Sequence, residues 1–204
     1  MAPCIDLLLL DVDGVLLDHH RTLRVRHLAD ALGRSTAQVQ HALFESGLER
    51  QYDSGALRTG DYLQRLGEGL QTAVSEAQWI RARLASSRVR DDVLSRVVAL
   101  PAALPLGVLT NNGPLMVDVL HTLLPSLRAR LEGRVLCSGA LGARKPDPAV
   151  FLQAMAILQA TPARTLFVDD LFTHVRGARQ AGLQAETVRD GRSLGRVLKR
   201  YGLG

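Results

Sequence analysis

The sequence predicts an α/β protein with a doubly wound, parallel, Rossmann-like sheet and a small helical insertion after the first strand. Five short apolar runs indicate strands, and most of them are continuously apolar, as is typical of parallel strands covered on both faces. Helical stripes separate the later runs, so strands alternate with helices. The first connection, however, is far too long for a simple crossover.

The predicted strands share a short length and an apolar composition. They are Asp6–Val12, Leu106–Thr110, Arg134–Ser138, Thr165–Val168 and Gln184–Val188. The clearest helix follows the third strand, with apolar residues spaced three or four apart over positions 150–158. Asp147 is its expected N-cap and Pro148 its first helical residue.

The long connection predicts an inserted module. Asp13 and Thr110 are 97 positions apart (110 − 13), whereas a crossover needs about a dozen residues or somewhat more. The signals within it are helical, including capping boxes that begin at Ser35 and Ser75. We therefore expect a helical module at residues 18–90 and a core formed by residues 1–17 and 91–204.

Composition narrows the function classes. Of the 204 residues, 47% are hydrophobic and 22% are charged, with a net charge of +5, which fits a folded globular chain. The arginines are scattered and form no dense basic block, so we expect no nucleic-acid partner. Cys4 and Cys137 have neither disulfide nor zinc spacing. The apolar run at residues 5–10 is too short for a signal peptide or a membrane span, so we expect a cytoplasmic protein without membrane contact.

Polar residues follow three of the predicted strands, and a lysine precedes a helix. They are Asp11, Asp13 and Gly14 after the first strand, Thr110 and Asn111 after the second, Asp169 and Asp170 after the fourth, and Lys145. Each alone would more often be a turn former, a helix cap or a solvated charge. In a parallel sheet, however, strand ends meet at one edge, and four carboxylates there would repel one another without cations. Mg²⁺ together with Lys145 would offset that charge.

These residues, in this order, resemble the motifs of the haloacid dehalogenase (HAD) superfamily. The first motif is an apolar strand that ends Asp-x-Asp, and the second a strand that ends in Thr or Ser. The third is a lysine, often followed by Pro-x-Pro, and the fourth an acidic pair after a strand. The matches are Asp11 with Asp13, Thr110, Lys145 within Lys145-Pro146-Asp147-Pro148, and Asp169 with Asp170. The resemblance covers nearly the whole chain.

The resemblance implies a Mg²⁺-dependent phosphatase that acts on a small phosphorylated metabolite through an aspartyl-phosphate. Asp11 would be the nucleophile, and Asp13 the acid and base, with a pKa raised by the crowded acids. The phosphate would contact Gly14, Thr110, Asn111 and Lys145. The metal would be held by Asp11, by the backbone carbonyl of Asp13 and by Asp170, with Asp169 acting directly or through water.

Two details refine the resemblance. An insertion between the first two motifs is similar to the C1 cap of subfamily I. Its segments Phe44–Gly47 and Tyr52–Leu57 resemble sugar-phosphate phosphatases of the glucose-1-phosphate type. His174 stands where related sequences have Asn or Asp, and we expect it to donate a hydrogen bond in the second shell of the metal. A protonated His174 that weakens metal binding is the alternative.

Three other functions stay open. A haloacid dehalogenase would share the nucleophile, but such enzymes lack the second acid of the first motif, so Asp13 argues against this reading. A phosphomutase of the β-phosphoglucomutase type would keep both acids. A catalytically weak HAD-like binding protein is the third alternative, and only His174 favours it. A monomer and a homodimer are both compatible with the sequence.

Overall fold

The computed structural model describes residues 4–204. Its centre is a five-stranded sheet in which every neighbouring pair is parallel, in the order β5-β4-β1-β6-β7. These strands are β1 (Leu7–Leu10), β4 (Leu106–Thr110), β5 (Val135–Cys137), β6 (Thr165–Asp169) and β7 (Gln184–Thr187). The predicted α/β class and all five predicted strands are confirmed, with ends that differ by two residues or fewer.

The first strand lies in the middle of the sheet, and its position explains its sequence. Leu8 pairs with Leu106 of β4 on one side and with Leu166 of β6 on the other. Leu8 and Leu10 belong to the hydrophobic cluster on one face of the sheet, whereas Leu7 and Leu9 belong to the cluster on the other face. Because both faces are covered, every residue of the strand is apolar and buried.

Seven helices flank the sheet or precede its strands. They are α6 (Asp91–Val98), α7 (Met116–Leu123), α8 (Arg128–Leu131), α9 (Ser138–Leu141), α10 (Pro148–Leu158), α11 (Phe172–Gln180) and α12 (Gly191–Arg200). Short 3₁₀ turns lie at Pro125–Leu127 and Pro162–Arg164. The start of α10 is as predicted, since the side chain of Asp147 accepts a hydrogen bond from the Ala149 N–H and Pro148 is the first helical residue.

The insertion is helical and is joined to the sheet by a ribbon that the sequence did not reveal. Strands β2 (Leu17–His19) and β3 (Ser87–Val89) pair antiparallel at its two ends. Between them lie α1 (Arg21–Leu32), α2 (Thr36–Gln40), a π-helical turn (His41–Glu45), α3 (Leu48–Asp53), α4 (Thr59–Leu70) and α5 (Glu76–Ala85). Both predicted capping boxes form. The boundaries 18 and 90 stay a prediction, and we call residues 18–90 the helical module.

Buried aromatic and charged side chains hold the interior of the helical module together. The rings of Tyr52 and Tyr62 stack with their centroids 4.1 Å apart. The indole N–H of Trp79 donates to the Tyr62 hydroxyl, which in turn donates to Glu49, and Arg24 forms a buried ion pair with the same carboxylate. This network links α1, α3, α4 and α5.

The helical module packs closely on the core at α3. The Tyr52 hydroxyl accepts a hydrogen bond from the backbone N–H of Leu115 at 3.1 Å. The Tyr52 ring lies so near Gly113 that a Cβ added there would come within 2.0 Å of a ring carbon. Ser138 also donates a hydrogen bond to the backbone carbonyl of Asp53. A glycine at position 113 therefore lets α3 approach the core.

Within residues 4–204, none of the helices combines the length and the apolar character that crossing a bilayer requires.

We expect Gly113→Ala to lower the free energy of unfolding by about 1–3 kcal/mol, because the new methyl group would overlap the Tyr52 ring. Gly60→Ala is the matched control, since a Cβ at this helical position meets no atom within 4 Å. Urea unfolding followed by circular dichroism measures both variants. Equal stability of the two would contradict the close packing of Tyr52 on Gly113.

Candidate active site

The carboxyl ends of β1, β4 and β6 border a cavity of about 520 Å³. Most of the predicted site residues line it, namely Asp11, Asp13, Gly14, Thr110, Asn111, Asp170 and His174. Lys145 and Asp169 lie just behind this surface and are buried. The sheet thus brings together residues from four separate parts of the chain, as the prediction from the strand ends required.

Lys145 lies between two carboxylates. Its Nζ atom is 2.7 Å from Oδ1 of Asp11 and 2.7 Å from Oδ2 of Asp169, and its side chain is fully buried. A buried ammonium group needs this kind of charge pairing, since leaving it unpaired would be strongly unfavourable. Through these two ion pairs, Lys145 links Asp11 at the end of β1 to Asp169 at the end of β6.

Asn111 fixes the backbone at Lys145. Its side-chain amide donates to the Lys145 carbonyl at 2.9 Å and accepts from the Lys145 N–H, also at 2.9 Å. The side chain that we expected to contact phosphate is thus engaged with the loop that carries the lysine. In a phosphate-binding role, Asn111 would have to use its backbone N–H.

Asp11 is buried at the floor of the cavity. Burial raises its pKa to about 8, although the charge of Lys145 acts in the opposite direction and the nearby Asp169 adds to the rise. The pKa of Asp170 is also raised, first by burial and then by the charge of Asp169. Both carboxyl groups therefore lie where additional positive charge would be favourable.

Asp169 has three hydrogen-bond donors within the fold. They are the Lys145 ammonium group, the Leu171 N–H at 2.8 Å and the His174 ring, whose Nδ1 lies 3.0 Å from Oδ2. Burial opposes ionisation, but the His174 hydrogen bond and the Lys145 charge hold the pKa of Asp169 well below its usual range. His174 thus contacts an acid that is itself occupied by the lysine, an arrangement that fits the indirect role we expected.

Gly14 makes the turn after the first motif possible. Its φ of 87° lies in the left-handed region, and a Cβ there would come within 2.4 Å of Oδ2 of Asp170. A side chain at this position would therefore displace the Asp170 carboxylate from the site.

The surroundings of Asp13 differ from the prediction. Arg83, from helix α5, places Nη2 2.6 Å from both carboxylate oxygens, and Asn112 donates to Oδ2 at 3.1 Å. Burial acts to raise the pKa of Asp13, but the charge of Arg83, the Asn112 hydrogen bond and weaker contributions together leave the pKa below its ordinary value. The expected rise in pKa was therefore wrong, because the nearest charge is a cation and not another acid.

Arg83 and Asn112, which both contact Asp13, were not predicted from the sequence, nor were Asp18, His19 and His20, which line the cavity. Arg83 lies on an ordinary helix among many scattered arginines, so no local pattern distinguishes it. Asn112, which also donates to the Thr110 hydroxyl at 2.7 Å, follows a motif residue and could have been found from its neighbourhood alone. The contact between Arg83 of α5 and Asp13 joins residues 70 positions apart, so it can be recognised only once the fold is known.

The donor set suits a hard divalent cation. Asp11 and Asp170 present carboxylates to the same cavity, and oxygen ligands are those that Mg²⁺ prefers. Asp11, Asp169 and His174 can place one donor atom each within 4.8 Å of one another. Since Asp169 already accepts three hydrogen bonds, the remaining lone pairs favour Asp11 and Asp170 as direct ligands.

Comparisons with known proteins identify the family of the chain. Residues 5–182 match the family model described as haloacid dehalogenase-like hydrolase. Since this is most of the sequence, the chain belongs to the haloacid dehalogenase-like hydrolases.

A curated relative is Phosphatase MT3486 of Mycobacterium tuberculosis (strain CDC 1551 / Oshkosh). It is 37% identical over 106 residues, which cover 47% of this chain and 48% of that protein. The chain therefore spans about half the length of this relative.

Solved structures share the fold over nearly the whole chain. A HAD-like family hydrolase from Porphyromonas gingivalis has a TM-score of 0.77 at 24% identity, covering 96% of this chain and 98% of its own. The HAD family enzyme bt-2542 from Bacteroides thetaiotaomicron, in complex with magnesium and inorganic phosphate, has a TM-score of 0.75 at 17% identity. That match covers 95% of this chain and 98% of the other.

We expect His174→Leu to lower the free energy of unfolding by about 1–3 kcal/mol, because it removes one donor from the buried Asp169 carboxylate. His174→Asn should lose less, since it retains a donor. The control is His41→Leu, whose contact with Glu45 is exposed and should contribute little. Chemical denaturation in Mg²⁺-free buffer provides the comparison. A loss in His174→Leu no larger than in the control would refute the role of this hydrogen bond.

Proposed function

We propose that the protein is a Mg²⁺-dependent phosphatase that hydrolyses a small phosphorylated metabolite through an aspartyl-phosphate intermediate. The observation that carries this proposal is the placement of Lys145 between Asp11 and Asp169, at the end of the sheet that also presents Thr110 and Asp13. A nucleophilic carboxylate, a fixed cation and a second acid are the groups that phosphoryl transfer needs.

In the first step, an oxygen of Asp11 forms a bond to phosphorus as the bond to the leaving oxygen breaks. The Asp13 carboxyl group gives that oxygen its proton, so an alcohol departs. In the second step, Asp13 takes a proton from water as the water oxygen bonds to phosphorus. The bond to Asp11 then breaks, which releases phosphate and returns both acids to their initial state.

The surrounding groups hold the phosphate and offset its charge. Lys145 would neutralise charge on Asp11 and on the transferred group. The Thr110 hydroxyl and the backbone N–H of Asn111 are the proposed donors to the phosphate oxygens. Gly14, which we also expected to contact phosphate, already donates its N–H to the Leu17 carbonyl at 2.8 Å. Asp11, the Asp13 carbonyl and Asp170 would hold Mg²⁺, with Asp169 acting through water. When bound, the metal would supply positive charge that draws the phosphate toward Asp11.

Two relatives support the proposal by what their names state. One of them is called a phosphatase, and another was crystallised with magnesium and inorganic phosphate. For the substrate class we propose a sugar phosphate, based on the similarity of residues 44–47 and 52–57 to such enzymes. Cys4 and Cys137 are both free thiols, which supports a reducing compartment such as the cytoplasm.

We expect wild-type protein to hydrolyse para-nitrophenyl phosphate only when Mg²⁺ is present. Asp11→Asn should lower kcat by at least about 10³-fold, because the nucleophile is lost. Asp13→Asn should lower it by about 10²–10⁴-fold, which is the usual contribution of an acid or base. Asp30→Asn is the control, because this exposed acid of α1 lies outside the cavity.

Full activity of Asp11→Asn, or turnover that ignores EDTA, would refute the mechanism. Release of halide from a haloacid would instead favour a dehalogenase. Conversion of one sugar phosphate into its isomer without release of phosphate would favour the phosphomutase. Enzyme labelled by ³²P-phosphoryl substrate, and not labelled in Asp11→Asn, would support the covalent intermediate.

A further inference from the structure

Arg83 of the helical module contacts Asp13, a predicted catalytic residue. Within residues 4–204, no other basic side chain of the module forms a hydrogen bond or an ion pair with a predicted catalytic residue. The side chain of Arg83 is only 2% exposed, whereas that of Asp13 is 36% exposed. A single nitrogen, Nη2, lies 2.6 Å from each carboxylate oxygen. Both oxygens of the Asp13 carboxylate therefore face the Arg83 guanidinium group.

Asn112 holds the same carboxylate from the core. Its amide nitrogen donates to Oδ2 of Asp13 and to the hydroxyl of Thr110, which lies at the end of β4. Donors from the helical module and from the core thus meet on one side chain. Without Arg83, a half-exposed carboxylate with one weaker contact would be free to adopt other rotamers.

Helix α5 is well placed to hold Arg83 rigidly. Trp79, one turn earlier, is buried and packs edge-on against Tyr52 while its indole donates to Tyr62. At the carboxyl end of the helix, Ser86 donates its hydroxyl to the Arg83 carbonyl at 3.0 Å. These contacts fix the position of α5 and with it the backbone from which Arg83 extends.

We propose that Arg83 is a positioning residue, which orients the Asp13 carboxyl group for proton transfer and thereby links the helical module to the chemistry. This inference rests on the proposed phosphatase function. Arg83 acts through Asp13 and has no assigned contact with the phosphate.

A positioning role and a purely structural role of Arg83 predict different effects on substrates with different leaving groups. A leaving group that is stable as an anion can depart without a proton, whereas a basic leaving group needs one from Asp13. Misplacement of a catalytic group by about 1 Å can cost about 10²-fold in rate. Loss of Arg83 should therefore slow substrates in proportion to their need for a proton.

The experiment compares dinitrophenyl, para-nitrophenyl and phenyl phosphate, three substrates of similar shape with increasingly basic leaving groups. For Arg83→Gln we expect kcat/KM, which reports the step that expels the leaving group, to fall by less than about 3-fold on the first and by about 30–100-fold on the last. Arg83→Lys should recover part of the loss, because it retains a charged donor. Arg81→Gln, an exposed arginine on the same helix, is the matched control and should resemble wild type.

A second arm uses the Asp13→Asn background. If Arg83 acts through Asp13, then adding Arg83→Gln to Asp13→Asn should change kcat on phenyl phosphate by less than about 2-fold, since coupled residues are not additive. Thermal unfolding of each variant shows whether it remains folded. Arg83→Lys then carries the test should Arg83→Gln fail to fold.

Two results would overturn the proposal. An equal fall in kcat/KM on all three substrates would indicate a structural role, and a rise in KM with unchanged kcat would indicate that Arg83 binds the phosphate. The proposed phosphatase function fails separately, through Mg²⁺-independent or absent hydrolysis by wild type or through full activity of Asp11→Asn.

Discussion

The ion pairs of Lys145 are the constraint on which the rest of the site depends. One ammonium group bridges Asp11 at the end of β1 and Asp169 at the end of β6, and all three side chains are almost fully buried. Because an isolated charge would be highly unfavourable at this depth, the three groups can be buried only together. The parallel register of β1 with β6 brings the two acids to the same edge, so the sheet and the charge pairing support each other.

The helical module adds a second cation to this charge arrangement. Four carboxyl groups lie at the edge of the sheet, and Lys145 and Arg83 approach them from opposite parts of the chain. Asp11 has a raised pKa, whereas those of Asp13 and Asp169 are lowered. Asp11 and Asp169 share the same cation, and their pKa values differ because burial dominates at Asp11 whereas the His174 hydrogen bond adds to the Lys145 charge at Asp169. The insertion is therefore more than a cover over the cavity, since one of its residues forms an ion pair with a carboxylate of the core.

The parts of the fold with local signals could be predicted from the sequence. Continuous apolar runs such as that of β1 predicted the sheet, and both capping boxes formed as expected. The ribbon of β2 and β3 could not be predicted, because each strand has three residues and mixed polarity, and they pair across the whole module. The acids of the motifs and Thr110 were predicted because each follows a strand end, and Lys145 because it precedes the helix that begins at Pro148. The pKa of Asp13 was predicted in the wrong direction, since Arg83 reaches it only through the packing of α5.

The contact between Asn111 and the loop of Lys145 uses main-chain atoms on the lysine side. These hydrogen bonds do not depend on the side chain of residue 145. The loop can therefore keep its course when residue 145 is exchanged, and the ammonium group can be removed or shortened while its peptide unit stays in place. An exchange of Lys145 would therefore leave Asp11 and Asp169 without their shared cation while the loop stays bound, whereas an exchange at position 111 would release the loop and retain the charge.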